Sequence, residues 1–258
     1  MTISLHDLSF AYTEKAIFKR LNAGFTGGEE GQPLVILGPS GSGKTTLLKL
    51  LGGLLKPQEG EISFHGETAV EAVNVREGKT TLSGQPKSAF MFQEPRLLPW
   101  LTVLENVSLP LEREMGAENA RQRAGQFLSL VSLKEKESVY PKELSGGETQ
   151  RVSMARAFAW PAPMLLMDEP FQSLDLPLRM GLMDLALSLQ EREKHFLVAV
   201  THDPREAVYM GGRAIVLGRA GAGIVFDRKI DLSAEDRVYG STAGAELEKE
   251  MILALGSV

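Results

Sequence analysis

The sequence carries at residues 38–45 the stretch Gly38-Pro39-Ser40-Gly41-Ser42-Gly43-Lys44-Thr45, which fits the pattern G-x-x-x-x-G-K-[ST]. It follows the apolar run Leu34–Leu37 and precedes Thr46–Leu51, which can form a helix. A strand, a glycine-rich loop and a helix in this order bind phosphate through backbone N–H groups and the positive end of the helix. We therefore predict that residues 38–45 and Thr46 bind a nucleotide, with Lys44 on the β- and γ-phosphates and the Thr45 hydroxyl on Mg²⁺.

The composition is that of an ordinary folded chain. The 258 residues are 43% hydrophobic and 24% charged, which suits one large α/β domain or two small ones. There is no cysteine, and this excludes a disulfide framework, a thiolate zinc site and a cysteine nucleophile. The 28 Lys and Arg against 33 Asp and Glu give a net charge of −5, so no nucleic-acid partner is predicted.

Short apolar runs alternate with helical periodicity, which predicts an α/β fold with a mostly parallel sheet. The predicted strands are Ile3–Leu8, Leu34–Leu37, Ala89–Phe92, Met164–Met167, Phe196–Val200 and Ala214–Leu217. Helical spacing relates Leu178, Leu182, Leu185 and Leu189, and also Ala120, Ala124, Phe127 and Val131. Residues 94–159 show helical patterns without a strand. We predict a single domain over 1–258, in which 94–159 form an inserted helical subdomain and 1–93 with 160–258 form the core.

Two further segments have weaker patterns. Gly66–Lys87 is polar and rich in turn residues, and it predicts a long loop or a short hairpin. Glu246–Leu255 places Leu247, Met251 and Leu255 on one face, which predicts a packed terminal helix. No apolar stretch is long enough to span a membrane, and the N-terminus lacks the pattern of a signal peptide. We therefore expect a protein that is soluble when isolated.

The apolar run Met164–Met167 ends in two carboxylates, Asp168 and Glu169. Adjacent acids at the end of a buried strand repel each other and lose hydration, so their presence together indicates a function that requires both. In a protein with a phosphate loop, the first acid helps to hold Mg²⁺ and the second can orient the attacking water. The alternative is a strand that simply surfaces into a turn, where Asp-Glu-Pro is common.

The segment Leu144-Ser145-Gly146-Gly147-Glu148, with Gln150 and Arg151 close behind it, lies upstream of the acidic strand. This order of parts resembles the ATP-binding cassette (ABC) family, over about residues 5–218. The resemblance implies a P-loop NTPase fold with a mostly parallel central sheet, an antiparallel β subdomain and an inserted α-helical subdomain. Ser145 and Glu148 also fit a helix capping box, which is a structural alternative.

The resemblance implies a role for several further residues with ATP and Mg²⁺. Tyr12 would stack on adenine, although a tyrosine at a sheet edge is the plain alternative. Gln93 would sense Mg²⁺ and the attacking water, and His202 would contact the γ-phosphate, although a lone histidine after a buried strand is more often structural. Asp175, in Ser173-Leu174-Asp175, would belong to the loop that crosses to the opposite subunit. The resemblance thus implies Glu169, His202 and Gln93 as catalytic residues. It implies Thr45, Gln93 and Asp168 as the residues that bind Mg²⁺.

The resemblance also implies partners. Ser145, Gly146 and Gly147 of a second ATPase subunit, in a homodimer, would close the nucleotide site. The segment Gln93–Val103 contains Trp100 and three leucines on a proline-containing loop, where transmembrane permease subunits dock in the family. The sequence of residues 95–102 resembles the corresponding segment of importers of the nitrate, sulfonate and taurine type. This implies an extracytoplasmic solute-binding protein in the same system, and a peripheral position on the cytoplasmic face of the cell (inner) membrane.

Other classes remain open at this point. A soluble ABC ATPase uncoupled from transport, for example in iron–sulfur cluster assembly, shares the motifs. A P-loop small-molecule kinase has no use for residues 144–148, and a non-hydrolysing nucleotide-binding module has no use for Glu169 and His202. The sequence departs from the common family pattern at residues 29–32 and at Gly66–Lys87, neither of which carries a predicted catalytic residue.

Overall fold

The computed structural model describes residues 1–13, 15–26, 32–65, 81–83, 85–172 and 174–256. The chain forms two compact units, one made of Met1–Ser88 with Phe196–Val258 and the other of Ala89–His195. Residues 29–31, which belong to the departure from the family pattern at 29–32, lie outside the described residues, and so do Ser173 and most of Gly66–Lys87.

Ten strands and seven α-helices are present in the described residues. The strands are β1 (Thr2–Tyr12), β2 (Lys15–Thr26), β3 (Leu34–Leu37), β4 (Glu59–His65), β5 (Thr81–Ser83), β6 (Ser88–Met91), β7 (Met164–Asp168), β8 (Phe196–Val200), β9 (Gly212–Leu217) and β10 (Ile224–Ile230). The helices are α1 (Lys44–Leu51), α2 (Val103–Met115), α3 (Ala117–Leu130), α4 (Gly146–Ala159), α5 (Leu176–Glu193), α6 (Pro204–Met210) and α7 (Thr242–Gly256). Short 3₁₀ turns occur at Lys134–Lys136, Pro141–Glu143 and Glu235–Arg237.

The first unit contains a four-stranded sheet in the order β2-β1-β4-β5. β1 pairs antiparallel with β2 and β4, so this is the antiparallel part of the predicted fold. β2 and β4 were not predicted, because their burial is partial and they carry no continuous apolar run. β5 falls within Gly66–Lys87 and pairs parallel with β4, so these two strands do not form a hairpin.

The first unit also contains four neighbouring strands in the order β10-β9-β3-β8. β3 lies between β8 and β9 and is parallel to both, while β10 is antiparallel to β9. All residues of β3 and β8 are buried, which is why both strands were predicted with their observed bounds. α1 packs on β8, and α6 packs on β3 and on the terminal helix α7. Met251 of α7 is buried, as its amphipathic pattern predicted.

In the second unit, α2, α3 and α4 pack on one another, and β6 and β7 are neighbours that lie with them and α5 in the same unit. Every residue between Met91 and Met164 is described, and none of them is in a strand. α2 begins with a capping box, in which Thr102 accepts from the Glu105 N–H and the Glu105 carboxylate accepts from the Thr102 N–H. Within the described ranges, no helix is both long and apolar enough to cross a bilayer.

The predicted strands differ from the observed ones mainly at their ends. β1 runs to Tyr12 rather than Leu8, β7 includes Asp168, and β9 begins at Gly212. β6 ends at Met91, so Phe92 lies just outside it. Polar residues at strand ends still pair with neighbouring strands, and apolar runs therefore underestimate strand length.

Candidate active site

The glycine-rich loop joins β3 to α1, as predicted. Gly41 and Gly43 have positive φ angles of 79° and 99°, which favour glycine. A Cβ on Gly43 would lie 2.4 Å from Ile17 Cγ2 and 2.9 Å from Phe18 Cζ, both on β2. A Cβ on Gly38 would lie 2.5 Å from the Ser42 Oγ. The loop is therefore packed so tightly against its own unit that glycine is required at two positions.

The loop has the features of an anion site. Lys44 is buried, and its Nζ donates to the carbonyls of Gly38 at 2.8 Å and Pro39 at 3.1 Å. α1 begins at Lys44, and its N-cap residue Gly43 supplies no side-chain hydrogen bond to the start of the helix. In the described part of the chain, the buried Ser42 Oγ has no hydrogen-bond partner. A buried cation, an uncapped helix start and an unsatisfied hydroxyl suit the phosphates of a nucleotide.

Tyr12 is the last residue of β1 and is exposed, as an adenine-stacking residue must be. Its ring meets Phe10 edge-to-face, with the ring centroids 5.0 Å apart. β4 begins only at Glu59, which pairs with Ser9, so it does not reach the end of β1. The Gln58 side chain takes over the pairing there, since it accepts from the Ala11 N–H at 2.7 Å and donates to the Ala11 carbonyl at 3.1 Å.

His202 follows β8 and is exposed. The residue before it, Thr201, is buried and donates from its hydroxyl to the carboxylate of Glu206 on α6. The same Thr201 oxygen accepts from the Asp203 N–H at 3.1 Å. These bonds fix the main chain on both sides of His202 and leave the imidazole outside the core.

Asp168 is the last residue of β7 and is buried, and Glu169 follows it with a φ of 46°. This left-handed conformation is costly for a residue with a Cβ, and it turns the chain sharply at the predicted water-activating acid. The Gln172 N–H donates to the Glu169 carbonyl at 3.3 Å. The predicted Gln93 donates from its side chain to that of Gln172. Gln93 thus contacts residues 168–172, called the catalytic turn below, which contain both predicted acids and lie with Gln93 in the second unit.

Ser145 is the N-cap of α4 and forms the predicted capping box with Glu148. The Ser145 Oγ accepts from the Glu148 N–H at 3.3 Å, and the Ser145 N–H donates to the Glu148 carboxylate at 2.9 Å. Lys136 binds the same carboxylate at 2.8 Å. The Lys136 hydrogen bond, followed by that from the Ser145 backbone, lowers the pKa of Glu148 to about 2.

The capping box does not remove Ser145 and its glycines from use by a ligand. It employs the Ser145 oxygen as an acceptor and leaves the hydroxyl proton available. A Cβ on Gly146 would meet nothing within 4 Å, so this face of the helix start is open. A Cβ on Gly147 would lie 2.8 Å from Leu178 Cδ2, so Gly147 is needed for packing on α5. The structural and the phosphate-binding explanations of this segment are therefore compatible.

Asp175 is the N-cap of α5, and its carboxylate accepts from the Leu178 N–H at 3.1 Å. The residue is exposed, so a capping function explains its presence without any ligand. The role in nucleotide binding that the resemblance implied stays a prediction.

The segment Gln93–Val103 is organised by α2 and α4. Asn106 of α2 bonds to the main chain of Leu98, Leu101 and Thr102. Trp100 is 69% exposed, whereas the three leucines of the segment are half-buried. Trp100 is therefore the apolar residue of this segment that projects furthest into solvent.

Residues 26–172, more than half of the chain, match the family described as ABC transporter. The chain belongs to the ABC transporter family. The resemblance drawn from residues 144–151 is thereby confirmed.

Relatives of this ABC chain include aliphatic sulfonates import ATP-binding proteins. The SsuB protein of Bacillus subtilis (strain 168) is 38% identical over 187 residues, which cover 72% of this chain and 68% of the relative. SsuB 1 of Xanthomonas axonopodis pv. citri (strain 306) is 37% identical over 231 residues, covering 88% and 87%. A sulfate/thiosulfate import ATP-binding protein, CysA 2 of Rhizobium meliloti (strain 1021), is 41% identical over 194 residues, covering 73% of this chain and 50% of the relative.

Two solved structures of a dimeric ABC cassette share the fold. One, in a post-hydrolysis state bound to ADP and Pi, superposes with a TM-score of 0.72 at 31% identity, covering 90% of this chain and all of the other. The second is a dimeric bacterial ABC transporter cassette with a TM-score of 0.70 and the same identity and coverage. The predicted ABC ATPase fold is thereby confirmed.

Sequence reasoning did not foresee the contacts of two residues of α4 in this ABC chain. Gln150 donates to the carbonyl of Pro170 in the catalytic turn, and Arg156 donates to the carbonyls of Pro95 and Arg96. Burial lowers the pKa of the Arg156 guanidinium. The sequence did contain a sign that Gln150 is buried, because helical spacing places it on one face with Ser153, Met154 and Ala157, which are buried. A polar side chain on a buried face indicates a buried partner.

Proposed function

We propose that this chain is the ATP-hydrolysing subunit of an ABC importer. The observation that carries the proposal is the presence, in one chain, of a phosphate loop with a buried lysine and of a second, open helix start at Ser145-Gly146-Gly147. The second start has no use within an isolated phosphate site. It has a use if two copies of the chain each supply it to the other's nucleotide.

ATP is held by residues 38–46, with Tyr12 against the adenine. Lys44 supplies the charge for the β- and γ-phosphates, and the Gly43 helix start supplies N–H groups. Mg²⁺, when bound, neutralises charge that develops on the transferred phosphoryl group. Thr45, Asp168 and Gln93 are the residues that would hold it. They offer the hydroxyl, carboxylate and amide oxygens that Mg²⁺ accepts, in a shell that phosphate and water complete.

Hydrolysis to ADP and phosphate is carried by residues that follow three strands, β6, β7 and β8. Glu169, after β7, orients the attacking water and accepts its proton. Gln93 and His202 complete the positioning, Gln93 on the water and the metal, and His202 on the γ-phosphate. The positive φ of Glu169 supports this role, since strained backbone is retained where function demands it.

The γ-phosphate is closed off by a second copy of the chain. Its Ser145 hydroxyl and the N–H groups of Gly146 and Gly147 form a further anion-binding helix start. Asp175 lies on the loop that faces the opposite subunit. ATP thus stabilises a two-fold symmetric dimer, and hydrolysis removes that stabilisation, so that the dimer opens.

The dimer drives a membrane permease. Permease subunits dock on Gln93–Val103, with Trp100 as the exposed apolar anchor. The relatives named for aliphatic sulfonates support a small sulfonate or related anion as the solute. A solute-binding protein delivers it from outside, and the ATPase subunit sits peripherally on the cytoplasmic face of the membrane. In this arrangement, residues 1–258 form one ABC ATPase domain and residues 94–159 form its helical subdomain.

Ser145 provides the test, because a P-loop kinase or a single-chain nucleotide-binding module would not need it. Ser145→Arg is expected to abolish ATP hydrolysis while ATP affinity stays within about twofold, since a bulky cation then occupies the place of the partner's phosphate. Ser129→Arg, at an exposed position of α3, is the matched control and should hydrolyse ATP normally. Unchanged hydrolysis in Ser145→Arg would refute the composite site. Co-purification with integral membrane proteins then distinguishes the importer from an ABC ATPase that works without a membrane.

A further inference from the structure

Gln150 connects the start of α4 to the catalytic turn. It lies five positions after Ser145, and its side chain is only 7% exposed. Its Nε2 donates to the carbonyl of Pro170, the residue directly after Glu169. A buried glutamine is costly unless its amide is bonded, so this contact needs an explanation beyond helix formation.

Contacts from outside the catalytic turn help to hold its shape. Glu169 is in the left-handed region, and a hydrogen bond inside the turn, from the Gln172 N–H to the Glu169 carbonyl, is long at 3.3 Å. A strained conformation persists only where its surroundings fix it. Pro170 cannot donate a backbone hydrogen bond, so its carbonyl is the one backbone group by which this residue can be anchored.

We propose that Gln150 is a positioning residue for Glu169, and that it joins the Ser145 helix start to the catalytic carboxylate of the same chain. The proposal rests on the proposed function, in which Glu169 orients water and Ser145 meets the partner's nucleotide. Ser145 and Gln150 belong to one helix, about 7–8 Å apart along its axis, so a displacement at one is transmitted to the other. Closure of the dimer on one nucleotide thereby sets the carboxylate that acts on the other.

The test replaces the amide with an apolar group of similar size. Gln150→Leu should bind ATP within about twofold of the parent but hydrolyse it about 10- to 100-fold more slowly, the cost of a misplaced catalytic group. Because the Ser145 helix start is intact, the variant should accumulate an ATP-bound dimer in Mg²⁺, measured by light scattering. Gln150→Met, which keeps the unbranched stem, is the second variant if Gln150→Leu does not fold.

Gln190→Leu is the matched control. Gln190 is also a buried glutamine of the second unit, and its Nε2 donates to the His195 carbonyl at 3.3 Å, away from the catalytic turn. This variant should lose stability to a similar degree and keep its kcat within about twofold. A kcat loss equal to that of Gln150→Leu would overturn the proposal, because general destabilisation would then explain both.

Two further results would also overturn it. One is a parental kcat in Gln150→Leu, and the other is slow hydrolysis without an ATP-dependent dimer, which would place the defect in the helix start rather than at Glu169. Glu169→Gln is measured alongside. If Glu169→Gln hydrolyses at the parental rate, the proposed function fails at Glu169 itself, whatever Gln150→Leu does. If it is slow, adding Gln150→Leu should change the residual rate less than twofold, since both changes act on one step.

Discussion

Asn106 and Leu98 exchange hydrogen bonds in both directions. The Leu98 N–H donates to the Asn106 Oδ1 at 2.7 Å, and the Asn106 Nδ2 donates to the Leu98 carbonyl at 3.1 Å. The same nitrogen also lies 3.1 Å from the Leu101 carbonyl and 2.9 Å from the Thr102 carbonyl. Asn106 is 2% exposed, so one buried amide shapes the loop that presents Trp100. The proposed permease contact thus depends on a buried residue of α2 as well as on the exposed Trp100.

Asn106→Leu should disorganise this loop. Several backbone groups lose their partner at once, so the free energy of unfolding should fall by about 1–3 kcal/mol, measured by urea titration. Permease association should weaken, measured by co-purification from membranes, while ATP affinity stays unchanged. Trp100→Ala is the comparison. It should weaken permease association as strongly but change stability by less than about 0.5 kcal/mol, because the side chain is exposed. Equal stability losses in the two variants would contradict the role given to Asn106.

Gly43→Ala should damage the phosphate loop more than Gly41→Ala. Both positions have positive φ, but an added Cβ meets Ile17 and Phe18 at position 43 and nothing within 4 Å at position 41. Gly41→Ala should therefore cost about 1–2 kcal/mol of stability from the backbone alone. Gly43→Ala should cost more and should also displace β2 or the loop, so that ATP affinity falls at least tenfold by calorimetry. The prediction fails if the two variants are equally stable and bind ATP equally well.

His195 should make stability depend on pH. The residue is buried, its Nδ1 contacts the Ala162 carbonyl, and burial lowers the pKa of the imidazole below its ordinary value of 6.5. The folded state therefore binds fewer protons than the unfolded state near and below that pH. The titration of His195 therefore leaves the free energy of unfolding unchanged above about pH 6.5. Below that pH it lowers the free energy of unfolding, with a limiting slope of about 1.4 kcal/mol per pH unit.

His195→Gln removes the titrating group and can still donate to the Ala162 carbonyl. The difference in unfolding free energy between this variant and the parent, measured by urea titration from pH 8 to pH 5, should shift in favour of the variant as the pH falls. A difference that stays constant over this range would show that His195 does not titrate with folding.

The sequence predicts those parts of the fold that rest on strong local constraints. β3 and β8 are buried on both faces and therefore appear as continuous apolar runs, and the phosphate loop depends on glycines whose spacing is rigid. β2, β4 and β10 are only partly buried and follow no such run, so they were missed. The roles of Gln150 and Asn106 were not predicted either, because they lie in side-chain contacts to the backbone of other segments rather than in a local pattern.

Among the site residues, the interactions that depend on nearby sequence could be predicted, and those that depend on the fold could not. The capping box of Ser145 and Glu148 could be predicted, since it requires only a spacing of three residues. Asp175 was assigned from the resemblance alone, and the structure adds a capping function that the sequence reasoning did not consider. Asp168-Glu169-Pro170 indicates a turn after the strand, but the left-handed conformation of Glu169 could not be predicted, because a residue with a Cβ rarely adopts a positive φ.

The central claim is that ATP joins two copies of this chain through Ser145 of one and the phosphate loop of the other. The most direct test is the molar mass of Glu169→Gln by size-exclusion light scattering, with and without ATP and Mg²⁺. We predict a monomer without nucleotide and a dimer with it, and we predict that adding Lys44→Ala or Ser145→Arg abolishes the shift. A protein that binds ATP with Mg²⁺ by calorimetry, yet stays monomeric at the same concentration, would contradict the account.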